Sequence, residues 1–167
     1  MEDREYKALG TSFIVSYGSQ DTELVYKVYE RLWKLRKGHK VIEPLADKDR
    51  VFRMVTELNR YGNLAYFYYK GTLVGVVAFN INPDFVWWGY MVRAVEEVFV
   101  LSMSDDYAGF GRIAAQFLKD MCRENNCDLV FAGAFLGSNN SYKKIKGYSE
   151  EYPTYVCLRK DCDSSDG

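Results

Sequence analysis

Two glycines, Gly109 and Gly111, stand one residue apart in the stretch DDYAGFGRIAAQFL, which covers residues 105–118. The apolar residues after them recur with helical spacing, so the pair lies at the start of a predicted helix. The first backbone N–H groups of a helix lack partners within it, and the helix dipole adds positive character there. Since glycine lets the backbone approach a bound group closely, this loop is suited to hold a pyrophosphate. A tight strand-to-helix turn is the alternative explanation.

Asp105 and Asp106 precede the glycines, and their negative charge opposes an anion. An exposed carboxylate near a phosphate costs roughly 1 kcal/mol at 4 Å in water. Each hydrogen bond to a charged group contributes about 1.5–3 kcal/mol, so several backbone donors together with Arg112 outweigh one carboxylate. We therefore expect the loop to bind an anion despite the two aspartates, with weakened affinity. Loss of cofactor binding is the alternative.

The elements that position this loop follow from apolar periodicity and from turn residues. The predicted order is strand, two helices, three strands, helix, strand, short helix and strand. A hairpin turn is expected at Lys70-Gly71, between two β-rich runs. The predicted strands outside this hairpin cover residues 11–17, 93–103, 127–135 and 153–160. Because a helix separates the strands at 93–103 and 127–135, these two strands are expected to be parallel in a mixed α/β sheet.

The composition excludes several classes of protein. The chain has 167 residues and a formal net charge of -1, which argues against a broad nucleic-acid-binding face. No stretch approaches the roughly 20 apolar residues that span a bilayer, so no membrane association is expected. The charged start MEDREYKALG lacks the apolar region of a signal peptide. We expect a cytoplasmic protein with one domain at residues 1–160 and a polar tail at 161–167.

The four cysteines form two pairs, Cys122 with Cys127 and Cys157 with Cys162, and four residues separate the members of each pair. This spacing differs from the tight knuckles of zinc sites, so we expect reduced thiols and no metal. His39 is the only histidine and follows a glycine in a turn that ends a helix, so it is given no role.

The order of elements, with glycines at the start of the central helix, resembles the GNAT superfamily of acyltransferases. The signature of that family is Gln or Arg, two residues, Gly, one residue, then Gly or Ala. Here the six residues read Asp106-Tyr107-Ala108-Gly109-Phe110-Gly111, so both glycines match and the first position does not. The resemblance covers roughly residues 11–160. It implies a central mixed sheet of six to seven strands flanked by three to four helices, and transfer of an acyl group from coenzyme A to an amine.

The resemblance also implies which residues hold acetyl-coenzyme A as the cosubstrate. The pyrophosphate would rest on the glycine loop, and the pantetheine would lie between the two parallel strands. The expected cofactor-binding residues are Leu101, Met103, Tyr107, Ala108, Gly109, Phe110, Gly111, Arg112, Asn139 and Asn140. The two asparagines have an alternative explanation as turn formers in GSNNS.

Acyl transfer needs a base, because an amine must be neutral to attack and a free lysine has a pKa near 10.4. Glu96 and Glu97 lie on the strand that leads to the loop, where family members often carry a catalytic glutamate. Consecutive strand residues face opposite sides, so only one of them can face the site, and we choose Glu97. A solvated charge pair is the alternative.

The departing thiolate needs a proton, which a tyrosine can supply. Family members often place this tyrosine in a pattern ending YxxxGF. The stretch YKKIKGY puts Tyr142 one residue early and Lys143 at the expected position, so Tyr142 is the first candidate and Tyr148 the second.

The acceptor amine is open between a small molecule and a protein. The segment NPDFVWWGYMVR, at residues 82–93, could line an acceptor pocket, contact a partner or pack in the core. The rival hypothesis is a catalytically silent GNAT-like binding or assembly module, such as a phage structural or host-interaction protein. Asp106 at the signature position and the displaced tyrosine favour this rival. The oligomeric state is left open.

Overall fold

The computed structural model describes residues 3–85, 91–133 and 140–150. Six strands form one sheet in which spatial order follows sequence order. The elements are β1 (Arg4–Ala8), β2 (Thr11–Tyr17), α1 (Thr22–Leu35), α2 (Ile42–Leu45), α3 (Lys48–Arg60), β3 (Leu64–Tyr69), β4 (Thr72–Asn82), β5 (Ala94–Ser102), α4 (Phe110–Glu124), β6 (Leu129–Phe131) and α5 (Asn140–Lys143). The expected mixed sheet with helices is confirmed.

Strand directions agree with the sequence prediction. Neighbouring strands from β1 to β5 are antiparallel, and β5 and β6 are parallel with α4 as the crossover between them. The hairpin between β3 and β4 turns at Lys70 and Gly71, whose φ angles of 49° and 79° are those of a turn with both central residues left-handed. Such turns match the twist of the flanking strands.

The two faces of the sheet are covered by different helices. Helix α4 packs on one face with an apolar stripe at helical spacing, and its buried residues include Ile113, Ala114, Phe117 and Leu118. Helices α1 and α3 cover the other face. Asp21 accepts hydrogen bonds from the N–H groups of Glu23 and Leu24 and so caps the start of α1. Leu35, the last residue of this helix, is 42% exposed.

Strand β1 extends the sheet beyond the strands predicted from the sequence. It buries only Tyr6 and Ala8, so its apolar alternation is too short to stand out among charged residues. The Tyr6 hydroxyl donates a hydrogen bond to Asp120 Oδ2 at 2.8 Å. Arg4 donates two hydrogen bonds to the Glu124 carboxylate, each 2.9 Å long. These contacts fasten β1 to α4.

Some predictions fall on residues outside the described ranges. They are the last strand at 153–160, the tail at 161–167, Asn139, and the centre of the aromatic segment at 86–90. Within the described ranges, no helix combines the length and the apolar character that crossing a membrane requires.

Candidate functional site

The glycine loop ends in an uncapped helix N-terminus, as the sequence predicts. Helix α4 begins at Phe110, and the residue before it, Gly109, has φ 86° and ψ 12°, a left-handed conformation that favours glycine. As the N-cap residue, Gly109 has no side chain and makes no cap hydrogen bond. The N–H of Arg112 donates to the Gly109 carbonyl at 3.1 Å, so the first-turn donors left for a ligand are the N–H groups of Phe110 and Gly111, at the positive end of the helix dipole.

Aromatic packing holds this loop in place. The Phe110 side chain is only 2% exposed and packs beside Gly75 of β4, where any Cβ would overlap its ring. The Tyr107 ring packs against Phe13 and Tyr69, with centroid distances of 6.0 and 5.5 Å. Phe110 and Tyr107 thus hold the loop against the sheet, while Ala108 and Gly109 remain exposed.

The charges around the loop explain how it accommodates its aspartates. Asp105 pairs with Arg31 of α1 at 2.9 Å, so its carboxylate is directed to a cation. Asp106 is exposed to solvent, where its field is screened. The Arg112 guanidinium lies over Gly109, with Nη2 3.5 Å from the position that a Cβ of Gly109 would take. Two arginines therefore accompany the two aspartates, and the residues present fit an anionic group.

Beyond Glu96, the edge of β5 that faces β6 is unpaired among the described residues, and we call this stretch the open edge of β5. The parallel pairing of β5 with β6 covers only Ala94, Val95 and Glu96. From Glu97 to Ser102, β5 pairs with β4 on one side, and no described strand pairs with its other edge. Since no residue of the described ranges pairs with them, the backbone N–H and C=O groups on this edge form a surface of the kind to which an extended ligand adds as a strand.

A bulge determines which way the β5 side chains point. Ala78 pairs with Phe99 and Phe79 pairs with Glu97, so Val98 is an extra residue without a partner on β4. Val98 and Phe99 both contact the cluster beneath α1 and α3. Glu97, in contrast, reaches α5 on the face covered by α4.

The two predicted catalytic residues, 45 positions apart, meet in the structure. The Tyr142 hydroxyl donates a short hydrogen bond to Glu97 Oε2. Burial raises the pKa of the Glu97 carboxyl, and this is opposed by hydrogen bonds from Tyr142 and from the backbone N–H of Gly133. Burial, followed by the nearby Glu97 charge, raises the pKa of Tyr142 far above 10.0, so its phenol keeps its proton. The arrangement unites a proton acceptor and a proton donor at the open edge of β5.

Helix α5 and the residues after it hold this pair against α4. The Tyr148 hydroxyl donates to the Ala115 carbonyl at 2.7 Å, and its ring lies 5.1 Å from that of Tyr142. Gly111 packs so closely on Ser141 that a Cβ there would overlap the serine hydroxyl. The glycine loop and the Glu97–Tyr142 pair are therefore linked through α5.

The remaining predicted site residues lie in several places. Leu101 is 2% exposed and packs beneath α1 and α3, where Met103 also packs at the periphery. Asn140 begins α5, while Asn139 is outside the described residues. Lys143, at the tyrosine position of the family pattern, is exposed and lies 3.7 Å from Glu150.

Sequence reasoning missed Arg31, Ser141 and Gly133, whose contacts depend on long-range folding. In the described part of the chain, Cys122 and Cys127 are free thiols, and no cluster of three or more potential metal ligands occurs.

Comparison with known proteins adds a fold relationship. No protein-family model matches the sequence, and no curated protein matches it. Solved structures do match. A predicted acetyltransferase with acetyl-CoA from Clostridium acetobutylicum has a TM-score of 0.58 and 14% identity, over 87% of this chain and 95% of that one. A ribosomal-protein-alanine N-acetyltransferase from Brucella melitensis biovar Abortus 2308 has a TM-score of 0.58 and 14% identity, over 87% and 96%.

A GNAT family acetyltransferase from Staphylococcus aureus matches with a TM-score of 0.58 and 10% identity, over 87% of this chain and 98% of that chain. The chain is thus similar in fold to GNAT acetyltransferases along most of its length, which confirms the fold prediction.

Proposed function

We propose that the protein is an acyl-coenzyme A-dependent N-acyltransferase, most simply an N-acetyltransferase acting on a primary amine. The observation that carries the proposal is the Glu97–Tyr142 hydrogen bond, which lies at the open edge of β5 on an acetyltransferase fold. An acid and a base at this position suit acyl transfer to an amine, since one group must accept a proton and another must supply one.

Acetyl-coenzyme A, as the substrate, would supply a thioester-activated acetyl group. The N–H groups at the start of α4 and the Arg112 side chain are the groups that would bind its pyrophosphate. The open edge of β5 between Glu97 and Ser102 offers backbone hydrogen bonds to the pantetheine arm. Leu101, Met103, Asn139 and Asn140 remain proposed contacts from the resemblance.

Glu97 is the proposed general base. Its raised pKa brings its basicity closer to the working pH, and its carboxylate keeps two hydrogen-bond donors that stabilise the charged form. Tyr142 is the proposed general acid, because its raised pKa keeps the phenol protonated until a thiolate forms nearby.

The acceptor would lie between the first helices and the aromatic segment at 82–93. We propose that the acceptor is a primary amine of a small molecule or of a protein. Proteins of similar fold are named for acceptors of both kinds. One is a ribosomal-protein-alanine N-acetyltransferase, and another is a glucosamine-6-phosphate N-acetyltransferase from Arabidopsis thaliana.

The test is release of coenzyme A from acetyl-coenzyme A in the presence of spermidine, kanamycin or a peptide with a free N-terminus. Transfer to one of them, reduced about 10²- to 10⁴-fold in Glu97→Gln, is the expected result. A folded protein that binds acetyl-coenzyme A but transfers to none of them contradicts the proposal as stated. A folded protein that does not bind acetyl-coenzyme A favours the silent binding module.

A further inference from the structure

Tyr142 and Glu97 share one hydrogen bond, and none of the ion pairs between described residues involves Glu97. The Tyr142 hydroxyl donates to Glu97 Oε2, and the second stabilising donor is the backbone N–H of Gly133. No described lysine or arginine is among the groups that set the pKa of either residue. The other titratable group that raises the pKa of Tyr142 is Tyr148, whose hydroxyl donates a hydrogen bond to the Ala115 carbonyl.

The surroundings of Glu97 and Tyr142 determine which groups can exchange protons with them during a reaction. Both side chains are partly buried, and the Tyr148 ring packs against Tyr142 at an interplanar angle of 59°. When a partly buried group gains or loses a proton, the partner to which it is hydrogen-bonded is the nearest group that can accept or supply one. For each member of the pair, the other member is that partner.

We propose that Glu97 and Tyr142 act as one proton relay, which carries the proton lost by the acceptor amine to the departing sulfur without exchange with bulk water. The inference rests on the proposed function. It differs from separate acid and base roles, because each residue depends on the other to return to its starting state.

A C–N bond forms between the neutral amine and the acetyl carbon, and the C–S bond breaks with its electron pair on sulfur. The nitrogen gives one proton to the Glu97 carboxylate, and the sulfur takes one proton from the Tyr142 hydroxyl. The Tyr142 phenolate then takes the proton from the Glu97 carboxyl along their hydrogen bond, which restores both residues. A phenolate is a stronger base than a carboxylate, so this last transfer is downhill.

The first experiment uses the protein without substrate. Carbon-13 NMR of protein labelled at the glutamate carboxyl carbon follows the Glu97 signal through a pH titration, with Glu97→Gln assigning the resonance. In Tyr142→Phe the pKa of Glu97 is expected to rise, because the carboxylate loses a donor. The matched control is Tyr148→Phe, which removes a neighbouring hydroxyl that bonds to a backbone carbonyl instead, and it should leave the pKa of Glu97 close to the wild-type value. An equal pKa in wild type and Tyr142→Phe overturns the proposal.

The second experiment compares coenzyme A release by Glu97→Gln, by Tyr142→Phe and by the double variant. Each single variant is expected to lose about 10²- to 10⁴-fold in kcat/KM. In a relay the double variant loses no more than the worse single variant, since either change already breaks the path. Thermal unfolding of each variant confirms that the fold is intact.

The outcomes separate the relay from the proposed function. Losses that multiply in the double variant contradict the relay, while acyl transfer by the wild type still supports the function. A wild-type protein that transfers no acetyl group to spermidine, kanamycin or the peptide contradicts the function and the relay together.

Discussion

Replacing Gly75 with alanine tests how closely α4 rests on the sheet. A Cβ at this position would overlap the Cε1, Cδ1 and Cζ atoms of Phe110, which is itself almost fully buried. Forcing extra atoms into a packed core typically costs about 1–3 kcal/mol. In a domain of this size each kcal/mol lowers Tm by roughly 2–4 °C, so Gly75→Ala is expected to unfold about 2–12 °C below the wild type. Because Phe110 begins α4, acetyl-coenzyme A should also bind more weakly.

The assay is thermal unfolding followed by circular dichroism, with two further variants. Gly133→Ala is the matched control, since its Cβ would meet no described atom within 4 Å and its φ is not positive, and its Tm should stay near that of the wild type. Phe110→Leu in the Gly75→Ala background removes the ring that the new methyl meets. The double variant should therefore lose less stability than the sum of the two single losses. A wild-type Tm for Gly75→Ala, or fully additive losses, would refute the packing argument.

Three further predictions concern charge, anchoring and pH. Asp106→Asn should bind acetyl-coenzyme A about two- to fivefold more tightly in low salt, because an exposed carboxylate near a phosphate costs up to about 1 kcal/mol; calorimetry that finds equal affinity would contradict this. Tyr6→Phe removes the donor to Asp120 and should lower the free energy of unfolding by about 1.5–3 kcal/mol in urea denaturation; a loss below about 0.5 kcal/mol would show that β1 is not fastened this way. Since the pKa of Glu97 is raised above 4.5 and only its carboxylate accepts a proton, kcat/KM should rise with pH through that higher pKa, and the rise should vanish in Glu97→Gln.

The helices and most strands could be predicted because their signals are local. The α4 stripe follows a 3.6-residue period, and Lys70-Gly71 marks the β3–β4 turn. Strand β1 could not be predicted on the same basis. Only two of its five residues are buried, and the contacts of Arg4 and Tyr6 with α4 span more than 100 residues of sequence.

The site was predictable in its residue types but not in its contacts. Strand alternation implies that one of Glu96 and Glu97 faces a site, and the structure places Glu97 against Tyr142. The bulge at Val98 then shifts the alternation for the rest of β5, which no feature of the sequence indicates. The pairing of Asp105 with Arg31 also depends on how α1 lies over the sheet, and it joins residues 74 positions apart.

The most direct test of the account is calorimetric titration of the folded protein with acetyl-coenzyme A and with S-acetyl-pantetheine, which lacks the pyrophosphate. If the uncapped start of α4 binds the pyrophosphate, acetyl-coenzyme A should bind in the micromolar range and S-acetyl-pantetheine far more weakly. Gly111→Trp, shown by its Tm to be folded, should lose the tight binding. Absence of binding at millimolar acetyl-coenzyme A, or equal affinity for the two ligands, would contradict the central claim that this loop is a pyrophosphate site.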